Sequence, residues 1–453
     1  MGKTAMSKTI RNKLIALGPE KLTDALLAMA DRSDEVEATV ERLVATPQET
    51  VKRFKAKLAG LQRSRRFIDW RKAGAFAREL VGLLADLDEG IEDGKTGVEL
   101  VARFFECDRA VFERCDDSNG TLGEIFRYDA SKLFARFAAA CPDKQWLTKQ
   151  LVTLLAENDY GARDRLLDAA GEFLPEKNLR ELAETFWRLA IEENDEYQRR
   201  SWYGGVEEMA KHLGDAPLFE KARLAAWGEP GTAACLDIAE VYLHTGDPQT
   251  ALAWVKRDKM PGAFQADKRE RLLQAIYSEL GETEKVTEIA WKRFRASRSI
   301  AGLDELLTVI GQEQREAVIA GQANEIMAAK QFSSSDAEFL LLSGLLDQAE
   351  EYLLQSVEQF NGDHYYSLLP LAEAMEKAER HLAASMLYRA LLDSILRRAH
   401  TKTYPHGVRY LKKLDALAPA IGNWQRFGRH EIYKTELKLA HGRKSSFWGK
   451  YDR

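Results

Sequence analysis

Residues 397–453 hold the side chains best suited to binding an anion. They include 14 Lys and Arg residues against 4 Asp and Glu, a net charge of +10. Cationic groups neutralise phosphates, and aromatic rings stack on unpaired bases. Five residues are therefore candidates for an anion or nucleic-acid site: Arg429, Lys434, Arg443, Lys444 and Trp448.

The same basic tail also has the pattern of a terminal helix that packs onto the helix before it. Its aromatic residues are spread at helical spacings, and Leu437 and Leu439 follow Ile432 and Tyr433 in an amphipathic order. A helical array needs a last helix with a polar outer face. Of these two interpretations of the tail, we favour the capping helix over the anion-binding arm. A cap with a basic outer face would serve as both.

A second basic run lies near the N-terminus. Residues 52–72 contain nine Lys and Arg residues, with Asp69 as the one acidic residue. The whole chain has a net charge of −5, so the part before residue 397 carries −15. Such asymmetry can mark a protein with an anionic partner, although a charge run is more often a solvated helix face. Contact between the acidic middle and the basic ends of one molecule is a third explanation.

Motifs for catalysis or metal binding are incomplete in this sequence. The stretch GKT at 2–4 has the end of a phosphate-binding loop without the glycine that must precede it. The stretch CDDSNG at 115–120 has calcium-loop spacing, but Cys115 and Phe126 stand where oxygen ligands are needed. A capped turn is the better interpretation. No H-E-x-x-H, G-x-S-x-G or C-x-x-C motif is present, and we expect neither metal nor cofactor.

The cysteines and the hydropathy pattern predict a cytoplasmic protein. The four cysteines, at 107, 115, 141 and 235, have no disulfide-like spacing and are expected to be reduced. No stretch of 18 apolar residues occurs, so no membrane span is expected. The N-terminus is basic but lacks the apolar core of a secretory signal.

A recurring turn indicates a repeat architecture. In residues 236–257, Gly246 is expected to end one helix in the left-handed conformation, and Asp247 with Pro248 to begin the next. The turn recurs at Gly214, Gly281, Gly311 and Gly344, and a sixth copy over 376–391 lacks the glycine. The five glycines are 32, 35, 30 and 33 residues apart, similar to the 34-residue tetratricopeptide repeat.

The rest of the chain is also predicted to be helical, as in the apolar stripe of residues 73–87. The fold predicted is therefore all-α, an α-solenoid of stacked antiparallel helix pairs. Four segments are expected: an N-terminal helical arm over 1–60, a helical region over 61–200, tetratricopeptide-like repeats over 201–396 and basic capping helices over 397–453. One continuous superhelix and separate domains both fit this pattern.

Three stretches, at 115–143, 404–418 and 429–448, resemble an uncharacterised bacterial family of helical-repeat proteins. The same region is similar to the helical part of SWIM zinc-finger proteins. The C-x-C pair of the SWIM finger is absent here, so its zinc function does not carry over. The resemblance implies a repeat scaffold.

The function predicted is a non-enzymatic binding scaffold that engages a protein or peptide partner on the solenoid surface. The alternative is nucleic-acid binding through residues 52–72 and 397–453. An enzyme is the third hypothesis, and it would require a deep pocket with convergent polar groups.

Overall fold

The computed structural model describes residues 10–118, 120–158, 160–257 and 265–453. Across these ranges the regular structure is helical, and the one β feature is a parallel bridge between Ile68 and Cys115. The predicted all-α class is confirmed. The chain divides into two compact units, 1–260 and 261–453, which are described separately. The four-segment division of the sequence stays a prediction.

Unit 1 contains helices α1 to α16. Their bounds are 10–16 (α1), Pro19–Ala30 (α2), Asp34–Val44 (α3), Pro47–Arg63 (α4), Trp70–Gly90 (α5), Gly94–Phe105 (α6), Asp108–Phe112 (α7), Thr121–Glu124 (α8), Ser131–Ala140 (α9), Lys144–Ala156 (α10), Ala170–Phe173 (α11), Glu176–Glu192 (α12), Glu196–Leu213 (α13), Ala216–Trp227 (α14), Thr232–His244 (α15) and Pro248–Arg257 (α16). A π-helical segment, Ile125–Ala130, joins α8 to α9, and a 3₁₀ turn lies at Asp164–Leu166.

Unit 2 contains helices α17 to α27. Their bounds are Ala266–Glu279 (α17), Thr283–Ala296 (α18), Ile300–Ile310 (α19), Arg315–Ala328 (α20), Ser334–Leu342 (α21), Leu346–Gln355 (α22), Tyr365–Lys377 (α23), His381–Arg398 (α24), Tyr404–Leu417 (α25), His430–His441 (α26) and Ser445–Tyr451 (α27). Short 3₁₀ turns lie at Gln312–Gln314, Val357–Gln359, Thr401–Thr403 and Ala418–Ala420.

Many helices begin at an aspartate that caps the exposed N–H groups of the first turn. Each cap accepts a hydrogen bond from the backbone N–H three residues later, at 2.8 to 3.1 Å. The capping residues are Asp93, Asp143, Asp195, Asp215 and Asp247. Such caps satisfy donors that have no partner within the helix. Asp247 with Pro248 therefore begins α16 as the sequence predicts.

The predicted turn glycines all have positive φ. The angles are 62° at Gly214, 84° at Gly246, 72° at Gly281, 101° at Gly311 and 80° at Gly344. The glycine-free sixth copy has the same backbone conformation, because Glu379 takes φ 58° between α23 and α24. A side chain in this region is strained, so glycine is the common solution at the other five turns.

Helices pack against their chain neighbours and against the next helix but one. In unit 1, α12 packs on α13 and α13 on α14; in unit 2, α23 packs on α24 and α22 also reaches α24. Short connections make such neighbours antiparallel, which gives the stacked pairs of an α-solenoid. Each unit has its own apolar core, formed from residues 54–222 in one and 290–447 in the other.

The predicted stripe of α5 faces the core of unit 1. Its five residues, Ala73, Ala77, Leu80, Leu84 and Leu87, are all buried. All four cysteines are buried and none forms a disulfide. None of the described helices is both long enough and apolar enough to cross a membrane.

Candidate functional site

Helix α24 is the central element of unit 2. Its sequence, HLAASMLYRALLDSILRR, contains no glycine or proline and is apolar on nearly every side. A helix that is apolar all round is stable only when other helices cover it. Here α23 and α25 pack on it, and 13 of its residues are buried. Arg389 lies among them, so an ionised side chain is placed inside the unit.

Arg389 is 9% exposed and contacts two aromatic residues. Its guanidinium carbon lies 4.4 Å from the ring centroid of Tyr433 and 5.0 Å from that of Trp424. Its Nη1 donates to the carbonyl of Gly428 at 3.0 Å, but Nε and Nη2 have no acceptor among the described residues. Burial lowers the pKa of Arg389.

Two cavities lie on either side of α24. The first, of about 600 Å³, is lined by Arg389, Asp393, Arg397 and residues of 357–363 and 427–433. The second, of about 450 Å³, is lined mainly by apolar residues of α23, α24 and α25. Gly362 borders both cavities. A Cβ there would lie 2.0 Å from the carbonyl oxygen of Ala390, so the backbone approaches α24 as closely as only glycine permits.

In the tail, Asp415 holds α26 and α27 against α25. Its Oδ1 accepts from Lys434 Nζ at 2.7 Å and lies 2.7 Å from His430 Nε2, and its Oδ2 accepts from the hydroxyl of Tyr451. Burial by itself would raise the pKa of Asp415, but these three hydrogen bonds together lower it. Phe447 is fully buried and packs edge-on against Tyr404.

The five predicted tail residues are not gathered at one place. Lys434 is used in the ion pair with Asp415. Trp448 is half-buried: Lys438 lies over its ring, and its Nε1 donates to the carbonyl of His441 at 3.0 Å. Arg429 and Arg443 are exposed, and Lys444 is half-buried at the start of α27. Lys434 and Trp448 both contact Tyr451, and the carbonyl of Lys444 accepts from the backbone N–H of Trp448 at 3.2 Å.

The basic run of residues 52–72 presents two exposed aromatic rings. Phe67 is 63% exposed and Trp70 62% exposed, and Arg65 and Arg66 beside them are exposed as well. The guanidinium of Arg71 lies over the ring of Trp70. This loop is fixed in place, because Ile68 donates to the carbonyl of Arg114 at 2.8 Å and accepts from the N–H of Asp116 at 3.0 Å.

In the stretch CDDSNG, Asp117 caps the helix that follows, as the sequence predicts. Asp117 accepts from the backbone N–H groups of Leu122 at 2.8 Å and Gly123 at 2.9 Å, so its oxygens serve the start of α8. Asn119 and the GKT stretch at 2–4 lie outside the described residues. Among the described residues no group of three or more His, Cys, Asp or Glu is arranged to hold a metal ion.

The most buried carboxylates lie beside arginines. Asp108 pairs with Arg163, Glu207 with Arg223, Asp336 with Arg298, and Asp86 lies 3.6 Å from Arg53. Although the two hydrogen bonds from Arg223 lower the pKa of Glu207, burial raises it above its ordinary value. Both oxygens of Glu207 accept from Arg223, which leaves this carboxylate in a structural role.

Arg389 was missed at the sequence level. The available signal was a single arginine within an apolar helix sequence, ASMLYRALLDSIL. Such a residue is buried only when its charge has a use, because an unpaired charge is costly inside a protein. Trp424 and Tyr433 are distant from Arg389 in the sequence, so no local pattern predicts that they surround it.

These features define an all-α helical-repeat protein with grooves between its helices. The chain belongs to a family of unknown function, DUF6880, whose sequence model matches residues 5–223 and 203–450. None of the curated proteins matches the chain. The relation to SWIM zinc-finger proteins and the likeness to tetratricopeptide repeats stay predictions.

Among solved structures, one similar chain is described as a circular tandem repeat protein with novel repeat topology and enhanced subunit contact surfaces. The two share 17% identity, and the match covers 98% of this chain and 99% of the other, with a TM-score of 0.14. At that TM-score the likeness carries no argument.

Proposed function

We propose that this protein is a non-enzymatic binding scaffold whose unit 2 takes a peptide segment of a partner protein along α24. The observation that carries the proposal is the pair of cavities beside α24, both of which are lined by Gly362. Helical-repeat proteins bind partners in grooves between their helices, and peptide recognition combines apolar pockets with a few fixed polar groups. The non-enzymatic part of the proposal is supported by the buried carboxylates, because each of them lies beside an arginine.

Exposed aromatic residues at the second cavity support the same proposal. Tyr365 is 60% exposed and lines the cavity, and Tyr366 beside it is 70% exposed. Tyrosine contributes a large apolar ring and one hydroxyl at little conformational cost, which makes it frequent in protein interfaces. A peptide bound along α24 would cover the ring of Tyr365.

The test is selection of peptides from a random displayed library on the full-length protein. We expect an enriched sequence that binds the wild-type chain and loses at least tenfold in affinity with Tyr365→Ala, as a central interface residue would. The matched control is Tyr197→Ala in unit 1, where the tyrosine is 67% exposed and lines none of the cavities described. Enrichment of no sequence, or equal binding by both variants, would overturn the proposal.

Nucleic-acid binding is the second candidate, and one observation favours it. Phe67 and Trp70 are exposed beside Arg65 and Arg66. Proteins that bind single strands combine such residues, because aromatic rings stack on the bases and basic side chains neutralise the phosphates. If residues 52–72 bind nucleic acid, the double variant Phe67→Ala/Trp70→Ala should weaken oligonucleotide binding at least tenfold in fluorescence anisotropy. Flat titrations of the wild-type chain at low salt would exclude this function.

The tail makes a separate contribution to that candidate. Arg443→Glu/Lys444→Glu reverses two charges outside the Asp415 cluster and should weaken binding while leaving the fold intact. Affinity that falls steeply with salt in the wild type and less steeply in this variant would assign phosphate contacts to the tail. Unchanged affinity and salt dependence would leave α26 and α27 as capping helices.

We also propose a cytoplasmic location, supported by four buried cysteines without a disulfide. Fractionation of cells that express a tagged chain would test it. Recovery mainly with the membrane or outside the cell would contradict it.

A further inference from the structure

Arg389 lines the first cavity beside α24, and two of its guanidinium donors are buried and unpaired. Nη1 donates a hydrogen bond to the carbonyl of Gly428, whereas Nε and Nη2 have no acceptor among the residues described. Nε and Nη2 donate in parallel along one edge of the guanidinium plane, the arrangement that matches the two oxygens of a carboxylate. The residue is 9% exposed, and both unpaired nitrogens are buried beside the cavity that Arg389 lines.

The position of this edge is fixed by the surrounding residues. The guanidinium lies against Tyr433 and Trp424, and the bond to Gly428 sets its rotation. A prearranged fork loses little conformational entropy when a ligand binds, which favours bidentate recognition. A buried cation without an acceptor is itself unfavourable, so an anion at this edge would relieve that cost.

We infer that the first cavity beside α24 binds a carboxylate group, held side-on by Nε and Nη2 of Arg389. The inference deepens the proposed function and rests on it for the source of the ligand: the carboxylate is that of an acidic residue or C-terminus in the bound peptide. A free small carboxylic acid has the same chemistry, and the experiment below separates these two sources.

The other charges of the cavity favour a monoanion over a phosphate. Asp393 accepts from the hydroxyl of Tyr433 at 2.7 Å, and Asp363 accepts from Ser394 and lies 3.5 Å from both Arg397 and Arg398. Glu358 lines the cavity as an exposed residue. Three carboxylates and two arginines thus line the wall. A dianionic phosphate would be repelled, whereas one carboxylate can be held locally by Arg389.

The apolar part of the wall fits the remainder of such a ligand. Val357, Phe360, Met386 and Phe427 line the same cavity. They would cover the aliphatic part of an acidic side chain, and the fork would take its end group. The mixed lining is the usual composition of a site in which a few polar groups fix the orientation of a mostly apolar ligand.

The test follows the side-chain Nε–H signal of Arg389 by ¹H–¹⁵N NMR on the full-length protein, with the signal assigned through Arg389→Lys. The probes are acetate, succinate, their uncharged analogue acetamide, and capped peptides that differ only as Glu against Gln. We expect acetate and the Glu peptide to shift this signal in a saturable way. Acetamide and the Gln peptide should leave it in place. The titrations use the wild-type chain, and Arg389→Lys is needed only to assign the signal.

Affinity measurements on variants complete the test. Arg389→Lys keeps the charge but removes the fork, and we expect at least a tenfold loss of affinity for the Glu peptide. The control is Arg426→Lys, whose arginine donates to the carbonyl of Leu354 and does not line this cavity, and its affinity should stay within twofold. Equal shifts from acetate and acetamide, or no shift from any carboxylate, would overturn the inference.

The outcomes separate this inference from the proposed function. Peptides that depend on Tyr365 but bind equally as Glu and Gln would uphold the scaffold and refute the carboxylate site. A saturable shift with succinate, together with no selected peptide, would refute the scaffold and assign the site to a free small carboxylate. Tighter binding of the Glu peptide than of either free acid would support both.

Discussion

Replacement of Arg163 is expected to destabilise unit 1 more than any other single loss of charge in that unit. Arg163 and Asp108 are each 3% exposed in their side chains and form a bidentate pair, with bonds of 2.7 and 3.0 Å. The same guanidinium donates to the carbonyls of Leu154 at 2.8 Å and Phe105 at 3.1 Å. It thus joins the ends of α6 and α10 inside the apolar core.

The expected magnitude follows from burial. Arg163→Met leaves the Asp108 carboxylate buried without its counter-ion, a change that costs about 3–5 kcal/mol in free energy of unfolding. That is a large fraction of the roughly 5–15 kcal/mol that stabilise a typical folded protein. Asp108→Leu/Arg163→Met removes both charges and should recover part of the loss, because no unpaired charge then remains.

The assay is equilibrium unfolding in urea, followed by far-UV circular dichroism and tryptophan fluorescence. The control is Arg165→Gln on the same 3₁₀ turn, whose arginine is 47% exposed and lies 3.5 Å from Asp168. Exposed pairs contribute about 0–1 kcal/mol, so the control should unfold nearly as the wild type does. A loss under about 1 kcal/mol in Arg163→Met, or no recovery in the double variant, would refute this account of the buried pair.

Three further predictions concern packing, pH and thiol reactivity. Gly97→Ala should lower the melting temperature, because its Cβ would lie 2.2 Å from the ring of Phe137. Gly82→Ala should raise the melting temperature through helix propensity, because a Cβ there would have nothing within 4 Å. A higher melting temperature for Gly97→Ala than for Gly82→Ala would contradict this packing. Because its pKa is lowered in the folded state, Asp415 should stabilise the tail above the ordinary carboxyl pKa of about 3.9 and lose that effect as pH falls through its lower folded value. Equal hydrogen-exchange protection factors of residues 430–451 at pH 6 and pH 2, each corrected for intrinsic exchange at that pH, would contradict it. Burial raises the pKa of Cys107 to about 12, so iodoacetamide should modify this thiol slowly at pH 8 while the chain is folded. Labelling should become fast once the chain is unfolded. Rapid labelling of the native protein would contradict the burial of Cys107.

The basic tail illustrates why charge in a sequence does not identify a binding surface. Its net charge of +10 suggested a set of cations available to an anion. In the structure Lys434 and His430 share the carboxylate of Asp415, while Arg429 and Arg443 remain at the surface. Which cations pair within the protein depends on helices that meet in three dimensions, and that meeting has no signature in the local sequence.

The turn positions illustrate the opposite case. A glycine between two helical patterns is a local signal, and the positive φ that it predicts is present at all five glycines. The glycine-free copy has the same kind of turn, with Glu379 at φ 58° between α23 and α24, which pack on each other. Local conformational preference therefore identified the five glycine turns.

The sequence by itself determined the all-α class, the helical turns and the apolar stripes, because these depend on interactions among residues a few positions apart. Only the tertiary structure decided the site at Arg389. The residues that surround it come from α24, α26 and two loops, and its Nε and Nη2 have no acceptor among the described residues. The free energy of such a cluster arises from long-range burial and charge, which no window of sequence contains.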